Sequence, residues 1–204
     1  MDIEKFYLDQ LFYKDYIDKM PDWLKKEAEI ELTVFDDYIS SKVLMNPKAN
    51  LRILDLGCGA CRIFKAIDDT KLYHKTAADI FDEKSLPKEF KSWLKDNKIG
   101  YHRIGVRDNK LTITSLGKFD IISCLGLDSL LSRDMANVYI ATCRNMLTDD
   151  GLLIWQANRK DTLKGLQLCI QDKELKYNIK QFKFYRGYKE VKHTQISRIY
   201  LYTQ

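Results

Sequence analysis

The order of apolar and polar positions divides the chain near residue 50. Before that point the spacing is helical. Ile3, Tyr7 and Leu11 form one stripe and Leu8, Phe12 and Tyr16 another, at intervals of about four residues, as one helix face requires. Pro21 ends this run, and Asp22 is placed to cap a second helix carrying Leu24, Ala28, Leu32, Phe35 and Ile39. Asn46-Pro47 stops it. From Leu51 onward, short apolar runs alternate with amphipathic stretches. Strands are predicted at Arg52–Leu56, Thr76–Ile80, Tyr101–Val106, Phe119–Leu125 and Leu152–Ala157, and helices near Arg62–Ile67, Lys88–Asp96 and Asp134–Met146. A further helix is predicted over about Thr162–Gln171. The end of the chain differs: Ile179–Tyr188 and Gln195–Tyr202 are two β-rich segments joined by a short polar turn, which predicts an antiparallel hairpin.

Strands alternating with helices argue for a parallel sheet covered by helices on both faces. No internal repeat or Gly/Ser linker divides the 204 residues, so one α/β domain over 49–204 with a helical extension over 1–48 is expected. A composition 45% hydrophobic and 31% charged is that of a globular protein. No apolar run approaches the roughly 20 residues of a spanning helix. The N-terminal MDIEKFYLDQ lacks the basic flank of a signal peptide, so a cytoplasmic chain without a membrane partner is expected. Cys58, Cys61, Cys124, Cys143 and Cys169 lie mostly in apolar segments, where cysteine behaves as a small hydrophobe. Cys58 and Cys61 form a C-x-x-C, but no second one exists and His74, His102 and His193 are scattered, so no metal site is expected. The net charge of +5 comes from lysines spread along the chain, the pattern of a solvated surface.

The segment Ile53–Phe64, ILDLGCGACRIF, is a buried strand ending in an acid, then two glycines one residue apart, then a helix start. Glycine is needed where a ligand approaches the backbone closer than a β-carbon permits, or where φ is positive. A dinucleotide-binding fingerprint starting at Gly57 would demand glycine at position 62, where Arg62 stands. Asp55, Gly57 and Gly59 instead resemble the first motif of class I S-adenosylmethionine-dependent methyltransferases, acid-x-Gly-x-Gly-x-Gly. Cys61 replaces the third glycine, with its side chain either directed into the sheet or crowding the methionine moiety. KTAADIFD places Asp79 at the end of the next strand, about 20 residues on, where a carboxylate can accept both ribose hydroxyls. Asp82 is the second candidate there, read instead as a cap or surface acid. KFDIISCLGLDSLL resembles the family's fourth-strand segment through Phe119 and Asp120, and MLTDDGLLIWQAN its fifth, with Gly151 given a structural role at the turn.

The resemblance spans Leu51 to about Ala157 and extends through the hairpin. It implies a three-layer Rossmann-like sandwich, with a mostly parallel seven-stranded sheet and a C-terminal antiparallel hairpin. It also implies a cofactor, S-adenosyl-L-methionine, with S-adenosyl-L-homocysteine as product. The cofactor-binding residues it implies are Asp55, Gly57, Cys58, Gly59, Asp79 and Ile80, then Asp108 or Asn109 for the adenine amino group, and Cys124 and Leu125 beside the sulfonium. Asp108 and Asn109 also fit an ordinary polar turn. Methyl transfer is an in-line displacement in which alignment supplies much of the rate. Asp128 and Ser129, just past the fourth strand, are the candidate catalytic residues if the acceptor carries a proton. Nucleobase amino methylation normally uses an Asn or Asp, Pro-Pro, aromatic tetrad, and CLGLDSL stands there instead. A small-molecule acceptor is the first expectation, RNA or protein the next. A protein that binds the cofactor and regulates a partner without methylation is the alternative class. The aromatics Tyr7, Phe12, Tyr13, Tyr16 and Trp23 either form a lid over the site or pack the N-terminal helices onto the sheet.

Overall fold

Strand β1 (Leu51–Leu56) is buried at every position except Arg52 because it is covered on both sides. The computed structural model describes residues 50–66, 73–107, 110–124, 127, 131–157, 181–186 and 195–203. The helices expected before residue 49 and over Thr162–Gln171 lie outside them. After β1 come α1 (Arg62–Ala66), β2 (Tyr73–Asp79), α2 (Lys88–Asp96), β3 (Gly100–Arg103), β6 (Phe119–Cys124), α3 (Arg133–Met146), β7 (Leu147–Ala157), β8 (Gln181–Arg186) and β9 (Gln195–Thr203). Two short strands, β4 (Val106–Arg107) and β5 (Lys110–Leu111), pair with each other apart from the main sheet.

The main sheet runs in the order β3-β2-β1-β6-β7-β9-β8. The first five strands are mutually parallel, while β9 pairs antiparallel to β7 and to β8. The two faces carry separate cores. On one, Leu51 and Ile53 of β1 pack with Ile63 and Phe64 of α1 and with Phe90 and Leu94 of α2. On the other, Leu54 and Leu56 pack with Ala136, Tyr139, Ile140, Cys143 and Met146 of α3. Crossovers leading leftward from β1 therefore lie on one face and the crossover from β6 to β7 on the other. The order reverses between β1 and β6, and a crevice opens at such a switch point outside the carboxyl ends of the strands.

Helix α3 starts one residue before its predicted bound, with the Ser132 hydroxyl accepting from the Met135 amide at 3.3 Å. Its buried residues recur at three- and four-residue steps, the stripe that one sheet face selects. Helix α2 keeps its predicted bounds. It ends on two crossed hydrogen bonds, Ile99 N–H to the Leu94 carbonyl (2.9 Å) and Lys98 N–H to the Lys95 carbonyl (3.1 Å), with Leu94 and Ile99 both buried. This end motif needs a left-handed residue, and Lys98 supplies it at φ 54°.

Strands β3 and β7 differ most from the sequence pattern, and β2 begins at Tyr73, three residues before its predicted start. The apolar run to Val106 predicts one strand, but β3 stops at Arg103 and Val106 joins the small ribbon, 48% exposed. Gly105 is where the chain leaves the sheet: its amide donates to the Thr112 hydroxyl (2.9 Å) and its carbonyl accepts from the Thr112 amide (2.9 Å). Strand β7 begins at Leu147, five residues before its predicted start, because Thr148–Gly151 form a bulge between the pairs Phe119–Leu147 and Ile121–Leu152. A β-carbon at Gly151 would sit 3.0 Å from Leu147 Cδ2 and 3.1 Å from the Thr148 backbone, so any larger residue would have to push these neighbours back by a few tenths of an ångström. Asp120 braces it, accepting from the Thr148 hydroxyl (3.3 Å) and from the Arg52 amide of β1 (2.8 Å). Asp82 caps a 3-10 turn, Glu83–Ser85, through the Lys84 amide (2.9 Å). Among the described residues no helix is long and apolar enough to cross a membrane.

A non-glycine residue in the left-handed region costs roughly 1 kcal/mol, part of which glycine returns through its freer unfolded chain. Lys98→Gly is therefore expected to stabilise the protein by about 0.5–1 kcal/mol. That corresponds to a rise in Tm of about 1–4 °C, to be read from thermal melts of the two proteins side by side.

Candidate functional site

The loop that follows β1 is folded back onto the end of β2 by backbone bonds. The amides of Gly57 and Cys58 both donate to the Ala78 carbonyl, at 2.7 and 3.1 Å. Gly57 and Gly59 take φ values of 72° and 48°, as such a reversal requires. The Asp79 side chain completes the tie: one carboxylate oxygen accepts from the Gly59 amide (2.8 Å) and the other from the Ile80 amide (2.7 Å). Asp79 is buried, and burial pushes its carboxyl pKa up, with the two amide bonds pulling it partly back. A carboxylate has about four acceptor positions, and these bonds use two. The side chain thus brings spare acceptor capacity to the carboxyl edge of the sheet.

Asp55 lies at the opposite side of the loop, inside β1 and buried. Its carboxylate accepts from the Ser123 hydroxyl at 2.8 Å, across the β1–β6 pair where the strand order reverses. Ser123 was not a sequence candidate. The signal available for it was a small hydroxyl within the otherwise apolar FDIISC strand, opposite an acid. Ile80, next to Asp79, turns a 57% exposed side chain outward. Arg103 at the end of β3 stands beside it, its Nε donating to the Ile80 carbonyl at 3.3 Å and its guanidinium 3.7 Å from Asp82.

The C-x-x-C lies beneath the loop. The Cys61 amide donates to the Cys58 carbonyl (2.7 Å), closing a turn, and Cys61 holds φ 54° despite its side chain. That side chain is fully buried with Ile63 and Phe64, directed into the core rather than the crevice. Burial, and then the hydrogen bond to Cys61, push the Cys58 thiol well above its ordinary value. Both side chains are buried in the same core cluster. Cys124, at the end of β6, is likewise buried on the α3 side of the sheet.

The sequence assigns the missing β-carbon at Gly57 to the close approach of a ligand. In the structure the Leu127 side chain takes that space, and a β-carbon on Gly57 would collide with it. Leu127, half-buried beyond the end of β6, was also not a sequence candidate. The segment LGLDSLL gives no periodicity from which its direction might be read. Asp108, Asn109, Leu125, Asp128 and Ser129 lie outside the described residues, as do His193 and the N-terminal aromatics. His102 is half-buried within β3. Asp55, Gly57, Cys58, Gly59, Asp79 and Ile80 thus meet around one loop, on the two strands that flank it.

By sequence, the chain matches no family model and no curated protein. By structure it resembles many solved chains. NodS, an N-methyltransferase from Bradyrhizobium japonicum WM9 in complex with S-adenosyl-L-homocysteine, superposes with a TM-score of 0.63 at 13% identity, over 98% of this chain and 97% of that one. A putative SAM-dependent methyltransferase from Streptococcus mutans gives 0.54 at 11% identity, over 83% of this chain and 48% of that one. PKMT2 from Rickettsia typhi, in complex with AdoHcy, is 21% identical over 52% of this chain and 20% of that one, with a TM-score of 0.44. The chain spans about half the length of the Streptococcus protein and a fifth of PKMT2. With the parallel strand order, the helices on both faces and the glycine loop at the switch point, the NodS superposition shows that this chain has the Rossmann-like fold of the class I S-adenosylmethionine-dependent methyltransferases.

Proposed function

We propose that the protein binds S-adenosylmethionine in the crevice beside the β1 loop and transfers its methyl group to an acceptor. The observation that carries this reading is the Asp79 carboxylate, tied to the Gly59 and Ile80 amides and keeping two acceptor positions at the carboxyl edge of the sheet. Two vicinal ribose hydroxyls match that capacity. Ile80 offers an apolar surface next to it, suited to the face of a purine. The sulfonium donor brings an already activated methyl group, so the protein's part is to hold the nucleoside, orient it and exclude water. The buried Asp55–Ser123 bond keeps β1 and β6 in register beneath that point. The antiparallel pairing of β9 with β7 and β8 supports reading residues 49–204 as one such domain, with its seven-stranded sheet closed by a hairpin.

Leu127 enters this reading as a side chain that must share or yield the space over Gly57. Asp128, Ser129, Asp108, Asn109 and Leu125 remain proposals from the resemblance. Methyl-labelled donor incubated with separate pools of metabolites, RNA and protein tests the reaction. Label transferred to any pool is the expected result, and tight cofactor binding with no transfer to any of them would overturn the enzymatic half of the proposal.

S-adenosylhomocysteine at about 100 times its Kd should stabilise the protein by about 2.7 kcal/mol, a rise in Tm of about 5–10 °C. Asp79→Ala removes charge-assisted bonds worth roughly 1.5–3 kcal/mol each. At the same ligand concentration its shift, taken against its own unliganded melt, should fall to about 2 °C or less. An undiminished shift would show that the sugar is held elsewhere.

Acid should weaken binding, because protonation turns one acceptor oxygen into a donor. Burial holds the Asp79 carboxyl above its ordinary 3.8, so the weakening should set in at higher pH than for an exposed acid. The shift acts oppositely on the unliganded fold: Asp79 favours folding most below 3.8, and that contribution declines as pH rises through the raised value. Titration calorimetry of S-adenosylhomocysteine across the acid range should show this step in the wild type and lose it in Asp79→Asn.

A further inference from the structure

The charges of α2 are sorted rather than interleaved. At about 100° per residue, Lys91, Lys95 and Lys88 fall within about 60° of one another, while Glu89 and Asp96 lie together further round the exposed side. The lysine stripe lies across the helix from Trp93, which faces α1 with Lys65 Nζ 5.3 Å from its ring. A helix using its charges for its own stability sets acids three or four residues from lysines, whereas like charges at those spacings repel by a few tenths of a kcal/mol. Here Lys88, Lys91 and Lys95 occupy those spacings with one another. Among the described residues none of them, nor Lys84, forms an ion pair.

The stripe is linked to the crevice by a chain of contacts. Lys91 Nζ donates to the Lys84 carbonyl at 3.4 Å, and the Lys84 amide is bonded to Asp82. Asp82 faces Arg103, which bonds the Ile80 carbonyl, one residue from Asp79. Residues 83–107 carry seven of the chain's basic residues and three of its acids, so the positive balance is concentrated here and not spread evenly.

We propose that this face of α2 docks a single-stranded nucleic acid and leads it to the crevice. A row of single positive charges about 4.5–6 Å apart along the helix axis suits a backbone of regularly repeated single negative charges. A bilayer fits less well. The carboxylates of Glu89 and Asp96 share the exposed side of α2, its apolar residues Phe90 and Leu94 are buried, and the half-buried Trp93 packs on the core across the helix from the lysines, so no apolar side chain of α2 stands among them. The stripe favours RNA among the acceptor classes open from sequence. The purpose of docking rests on the methyl-transfer reading, but the docking itself does not.

Binding of a fluorescein-labelled single-stranded oligoribonucleotide, followed by anisotropy on the full chain, tests this. If four lysines each neutralise a phosphate, wild-type affinity should fall about 50-fold between 50 and 200 mM salt. Lys88→Gln/Lys91→Gln/Lys95→Gln should bind at least about tenfold more weakly at low salt, with a salt slope shallower by about 2. Adding Glu89→Gln/Asp96→Asn to that variant returns most of the lost net charge and should not restore binding. Restoration would mean that overall charge matters and not the stripe, and would overturn the proposal. So would the absence of binding, binding indifferent to the three lysines, or equally tight binding to phosphatidylserine vesicles. The thermal shift with S-adenosylhomocysteine, measured on both proteins, should be the same in each. Its absence from the wild type beside lysine-dependent RNA binding would sink methyl transfer and leave docking standing, and the reverse pattern would sink docking alone.

Discussion

The carbonyl of Ala78 and the carboxylate of Asp79 hold the loop after β1 against the end of β2, and the crevice takes its form from that tie. Three amides of the loop, those of Gly57, Cys58 and Gly59, find partners within two residues of β2. A loop at a sheet edge with its amides unpaired would lose about as much free energy as the tie supplies. The bonds also fix which way the Asp79 carboxylate faces. Burial raises its carboxyl pKa, and the two amides partly offset that loss of water.

Around this tie the fold places the switch in strand order between β1 and β6, the position at which α/β sheets bind ligands. Helices α1 and α2 occupy one face of the sheet and α3 the other, so the chain leaves β1 and β6 in opposite directions. Asp55 and Ser123 bond across this central pair of strands. The buried hydroxyl satisfies part of a buried acid and ties the two strands together below the β1 loop.

Two departures from common residue choices find their explanation in packing. Cys61 holds a left-handed conformation normally given to glycine, and its buried side chain offsets that strain by filling core beside Phe64. Lys98 does the same at the end of α2 without any such compensation, since it is exposed. The bulge at Thr148–Gly151 shows a third solution, in which an acid on the neighbouring strand, Asp120, braces an irregularity that packs tightly around a glycine.

The sequence by itself determined the alternation of strands and helices, the bounds of α2 and nearly those of α3, and the glycine loop between an acid-ended strand and a helix. These are local properties: periodicity and turn chemistry act within a few residues, and a stripe selected by a sheet face is written into the helix that meets it. Asp79 was legible because a strand end and a fixed interval place it. The tertiary structure alone decided where β3 stops, that β7 begins with a bulge, that Asp55 bonds Ser123, and that Leu127 fills the space over Gly57. Each of these joins residues far apart in the chain, and nothing local encodes which partner arrives. Lys88, Lys91 and Lys95 likewise fall into one stripe only once α2 winds, and Lys91 then reaches the Lys84 carbonyl of the 3-10 turn.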